Sequence, residues 1–101
     1  MTKHYVLIDN CSGYIWGEAD AENPIEACQK VDLEIGCGEP REYHEVFSSE
    51  LASNETGYHV FAAPNDWVWD PALDDQDQEI IATVEQWPLA AVVKISTETD
   101  Q

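Results

Sequence analysis

Six side chains in this sequence are suited to nucleophilic or metal chemistry: Cys11, Cys28, Cys37, His4, His44 and His59. A nucleophile needs a base within hydrogen-bond reach, and no local motif builds such a pair around any of the six. Cys28 falls on the apolar face of an expected helix and reads as a small core residue. Cys37, flanked by Gly36 and Gly38, reads as the most accessible thiol. Zinc is commonly held by closely spaced pairs that share a turn; these residues are scattered singly, so no zinc site is expected. Asp75, Asp77 and Glu79 have the alternation that opens a calcium loop, but Ile80 stands where the loop needs glycine and Gln86 where it needs glutamate. No Gly-rich loop runs into a helix with lysine, so a phosphate cradle is missing. Paired carboxylates abound, yet a catalytic one needs its pKa raised by burial or a neighbour, and most of these fall at expected solvent positions. The expectation is a non-enzymatic protein with no catalytic residue, metal or cofactor.

Charge carries more information. The 101 residues hold 21 acids against four Lys and Arg, a net of −17, about twice what solubility asks of a small domain. Between Arg41 and Lys94 there are eleven Asp or Glu and no base, and the tract centres on Pro64 to Glu79, PNDWVWDPALDDQDQE, where six carboxylates surround two tryptophans. Such a field disfavours direct binding to nucleic acid or to an anionic membrane and steers a cationic protein surface inward. Solubility or a high-salt setting would also account for it. The three cysteines have no C-x-x-C pair and are odd in number, which fits a reducing cytoplasm. No signal peptide and no run of about 20 apolar residues is apparent.

The elements that would position these side chains are those of one domain. Lys3–Asp9 and Tyr14–Glu18 read as a hairpin joined by NCSG. Asn23-Pro24-Ile25-Glu26 is a helix start with N-cap, first-turn proline and capping-box glutamate. Ile25, Cys28, Val31 and Ile35 form its buried stripe, and Gly36 ends it. Arg41–Ser48 and Gly57–Ala63 read as strands of a second hairpin across an acidic loop of roughly ten residues. A helix from about Leu73 carries Asp74, Asp75 and Asp77 at the positive end of its dipole. It buries Ile80, Ile81, Val84 and Trp87, and stops at Pro88. Leu89–Ile95 is the most continuously apolar strand and is expected inside the sheet, with a frayed tail over 95–101. The order ββαββαβ predicts an α+β two-layer sandwich, an antiparallel or mixed sheet of about five strands with two helices on one face.

Trp16 and Trp87 read as core residues. Trp67 and Trp69 face one side of an extended segment, so they either build a second, smaller core or are exposed together; the core reading is favoured. In its small size and extreme acidity, on the carboxylates of 42 to 85, the chain resembles the phage and mobile-element inhibitors that include anti-CRISPR proteins and other DNA mimics. That resemblance implies a basic nucleic-acid-binding protein as partner. The partner-binding residues expected are Asp66, Trp67, Trp69, Asp70, Asp74, Asp75, Asp77 and Glu79, with Glu50 and Glu55 from the acidic loop. The alternative is an adaptor or structural domain, acidic for solubility, that binds through the Trp67/Trp69 loop.

Overall fold

Tyr5, Val6, Leu7 and Ile8 are consecutive and all buried, which a strand achieves only when both of its faces are covered. They belong to β1 (Lys3–Asp9), and the rest of the fold follows from that requirement. The computed structural model describes residues 2–35, 41–64, 67 and 78–97. These form β1, β2 (Ile15–Ala21), α1 (Pro24–Ile35), β3 (Arg41–Val46), a 3-10 turn (Ser48–Glu50), β4 (Gly57–Ala62), α2 (Gln78–Glu85) and β5 (Leu89–Thr97). The strands make one five-stranded sheet in the order β2-β1-β4-β5-β3, every neighbouring pair antiparallel. The fold is α+β, with the element order read from the sequence.

Two features depart from expectation. β3 and β4 are not a hairpin: β5 lies between them and pairs with both. The apolar β5 gains more from a central position than β3, whose exposed Glu42, His44 and Glu45 suit an edge. Nor do the helices share a face. One core cluster joins Ala27, Cys28 and Val31 of α1 to Tyr5, Leu7, Tyr58, Val60, Val93 and Ile95. The other joins Ile80, Ile81 and Val84 of α2 to Val6, Ile8, Ile15 and Phe61. Alternate residues of β1 thus divide between the clusters, one helix to each side. β5 also runs through Thr97, so residues 95–97 continue the strand.

Local chemistry explains the connections. Asp9 holds the first turn by accepting from the Ser12 amide at 2.9 Å and the Ser12 hydroxyl at 2.8 Å, and Gly13 supplies a φ of 77°. Asn23 caps α1 through the Glu26 amide at 2.8 Å, while the Glu26 carboxylate reaches back to the Glu22 amide at 3.3 Å. The register between β1 and β2 shifts after Leu7, where Leu7 faces Gly17 and Ile8 faces Ile15. This bulge leaves Trp16 unpaired and turned toward the α1 side. Gly17 is required there: a Cβ would lie 2.6 Å from Val31 Cγ1, so the missing side chain lets α1 sit close on the sheet.

Candidate protein-binding surface

Asp32, 2% exposed, lies buried on the sheet side of α1. Its Oδ1 accepts from Trp16 Nε1 at 3.0 Å and from the Tyr58 hydroxyl at 2.8 Å, and its Oδ2 from the Tyr43 hydroxyl at 2.6 Å. One carboxylate therefore ties α1 to β2, β4 and β3, and a buried carboxylate is tolerable only with such donors. Sequence reading missed it, although the signal was present: Asp32 is four residues after Cys28 and three before Ile35, inside the stripe read as apolar. Burial first, and then the Asp32 charge, push the Cys28 thiol up to about 12, which fits the core role and opposes a nucleophilic one.

Through Tyr43 this network holds β3 against the body of the protein. Beyond it, Glu42, Glu45 and Glu50 are exposed, and Phe47 is 77% exposed. Glu45, Val46, Phe47 and Glu50 line an open depression of about 400 Å³. The 3-10 turn shapes its far wall: the Glu50 amide donates to the Phe47 carbonyl at 2.8 Å, and the Glu50 carboxylate accepts from the Phe47 amide at 3.2 Å. Sequence reading took Phe47 for a strand residue. It is in fact a large apolar ring standing among carboxylates.

The residues expected to bind a partner divide as follows. Asp66, Trp69, Asp70, Asp74, Asp75 and Asp77 lie outside the described residues, as does Cys37. Trp67 is half-buried against the α2-side cluster, with ring centroids 5.1 Å from Trp87 in an edge arrangement and 5.7 Å from His4. For Trp67 the second-core reading is the one observed. Glu79 is exposed in the first turn of α2, and Glu50 lines the depression. Glu55 is engaged within the chain. Its carboxylate meets Lys94 Nζ at 2.7 Å and the Ala52 amide at 3.0 Å, contacts that hold it below the ordinary glutamate value, Lys94 contributing most. Its carbonyl accepts from Asn10 Nδ2 at 2.9 Å and from Cys11 Sγ at 3.2 Å, which docks the loop on the first hairpin.

Two of the lysines, Lys30 and Lys94, lie against the chain's own acids. Lys30 lies 3.4 Å from Glu26 and donates to the Asp20 carbonyl at 2.7 Å. His4 bridges Glu18 and Asp20, both at 2.8 Å. Around β3, Glu42, Glu45 and Glu50 face outward. Among the described residues no group of three or more His, Cys, Asp or Glu side chains could hold a metal ion, and no helix is long and apolar enough to cross a membrane. The arrangement suits recognition of positive charge by carboxylates and an aromatic face. Comparisons with protein-family models, curated proteins and solved structures find no match to this chain.

Proposed function

We propose that this chain is a non-enzymatic, cytoplasmic inhibitor that occupies the nucleic-acid-binding surface of a basic protein, as anti-CRISPR and other DNA-mimic proteins do. The observation that supports this reading is the distribution of charge. Glu42, Glu45, Glu50, Glu79 and Glu85 are exposed, while Lys30 and Lys94 each lie against a carboxylate of the chain itself. A duplex presents about one negative charge per 1.7 Å of axis, and spaced carboxylates on a folded surface present the same sign to the same cationic site. The adaptor reading, which relied on the Trp67/Trp69 loop, has less support because the Trp67 ring is packed on Trp87 and His4.

The experiment is affinity capture from the source cells, followed by addition of the chain to each captured nucleic-acid-binding protein loaded with its nucleic acid. Release of the nucleic acid, with affinity that falls steeply as salt rises, is the expected result. Reversing Asp74, Asp75 and Asp77 to Lys should abolish release while leaving the melting temperature nearly unchanged. Binding that ignores both salt and this reversal would overturn the proposal.

A further inference from the structure

We infer that residues 47–55, which cross over β5 from the end of β3 toward the start of β4, form a strap that opens as a unit while the sheet stays intact, with Asn10 as its latch. The ties are concentrated in the second half of the strap. Asn10 Nδ2 donates to the Ala52 carbonyl at 2.8 Å and to the Glu55 carbonyl at 2.9 Å. Two carbonyls demand the amide nitrogen on that side, which leaves Oδ1 for His59 Nε2 at 3.0 Å. Cys11 Sγ donates to the Glu55 carbonyl as well, and the Glu55 carboxylate meets Lys94 Nζ at 2.7 Å. Val93 and Ile95 belong to the α1-side cluster, so Lys94 projects from the other face of β5, and the strap lies there.

The flanking strands are held by other means. β3 is paired with β5 as far as Val46, opposite Val92, and β4 is paired with it from Gly57, opposite Lys94. The Thr56 carbonyl accepts from the Ile95 amide at 3.1 Å, so the strap hinges at Thr56. Within the strap Leu51 alone is buried. It sits against Gly57, where a Cβ would lie 2.9 Å from its Cδ2. A segment with one buried apolar side chain and otherwise exposed hydrogen bonds belongs to the low end of local stability. Length permits the motion too. Val46 and Gly57 flank β5 two positions apart along it, a separation of about 12 Å, whereas residues 47–56 reach about 33 Å when extended. The strap can therefore swing out with neither strand unpaired, carrying Phe47 and Glu50 away from Glu45 and freeing Lys94. This holds whether or not the chain inhibits a basic protein.

The test is native-state amide exchange of the ¹⁵N-labelled protein, followed by NMR over a series of urea concentrations below the unfolding transition. The Glu50, Leu51, Ala52 and Glu55 amides all donate within the strap. They should share one protection factor, roughly tenfold or more below that of the interior strands β1 and β4, and nearly independent of urea. Asn10→Ala should speed all four by about five-fold, including Glu50 and Leu51, whose hydrogen bonds lie away from Asn10. Val60→Ala, on the α1 side of the sheet, should lower global stability and speed the amides of β1 and β4 while leaving those four unchanged. Strap amides that are unprotected in the native protein, or that match β1 and β4 in protection and urea slope, would overturn the inference. So would an Asn10→Ala variant that spares Glu50 and Leu51, or a Val60→Ala variant that speeds the strap as much as the sheet.

Discussion

The Tyr43 hydroxyl donates to Asp32 Oδ2 at 2.6 Å, and through that hydrogen bond the edge strand β3 is fastened to helix α1. The same carboxylate takes Trp16 from the bulged strand on the far side of the sheet and Tyr58 from its middle. A single acid in α1 thus spans the sheet from one edge to the other.

Replacing Asp32 by alanine leaves three donors without this acceptor, and buried donors left unmade cost about 1–3 kcal/mol each where they cannot reach water. Asp32→Ala should lower stability by on the order of 3 kcal/mol, read as a fall in the urea midpoint. Tyr58→Phe, which removes one donor and leaves the carboxylate its other partners, should cost about 2 kcal/mol. If Asp32→Leu matches or exceeds the native midpoint, apolar packing serves as well as the network does, as it can for buried ionic groups.

Gly17→Ala places a methyl 2.6 Å from Val31 Cγ1. Val31 is stiff at χ1 and cannot swing aside, so α1 must move outward, at a cost of roughly 1–3 kcal/mol. The double variant Gly17→Ala/Val31→Ala should be more stable than the sum of the two single losses predicts. Simple additivity in a double-mutant cycle would show that the close approach at Gly17 is not what positions the helix.

The Glu55 carboxylate is held below its ordinary pKa, chiefly by Lys94. A depressed folded-state value means that the contact stabilises the fold fully above the unfolded-state pKa and is lost as pH falls through the folded-state value. Lys94→Met should therefore lower the melting temperature at neutral pH, by an amount that shrinks as the solution is acidified through the carboxylate range. A gap that stays constant with pH would assign the loss to packing of the lysine stem.

Burial and the Asp32 charge push the Cys28 thiol up to about 12. At pH 8 its thiolate fraction is then about three orders of magnitude below that of an ordinary cysteine. Iodoacetamide should label the exposed Cys11 in the native protein and Cys28 only after unfolding, as peptide mass spectrometry would resolve. Native labelling of both at similar rates would mean that α1 opens from the sheet on the time scale of the reaction.

How far the sequence carried the fold depended on whether each signal was local. The capping residues Asn23 and Glu26 and the β-branched and aromatic strand runs act within a few positions, and those elements formed close to where they were expected. The pairing of β3 was not local. A loop of roughly ten residues between β3 and β4 invites a hairpin, and only the contrast between the charged β3 and the apolar β5 hints that β5 takes the inner place. The layering was also legible after the fact: Tyr5-Val6-Leu7-Ile8 has no polar alternation, the mark of a strand covered on both faces. At the surface, the acidity of 42 to 85 was plain. Which carboxylates face outward was not, since Glu55 spends its charge on Lys94 and Glu45 stands open beside Phe47.

The placement of β5 between β4 and β3 also sets the order in which the sheet is completed. Among the described residues the sheet neighbour of β3 is Leu89–Thr97, so during translation β3 cannot take its place in the sheet until that strand has been synthesised and has docked. A nascent chain that has exposed Glu42 and Glu45 but not β5 presents loose negative charge rather than a formed ledge. The placement of these glutamates is thereby coupled to completion of the sheet, and a lesion in the part of β5 that pairs with β3 would displace them without touching either residue.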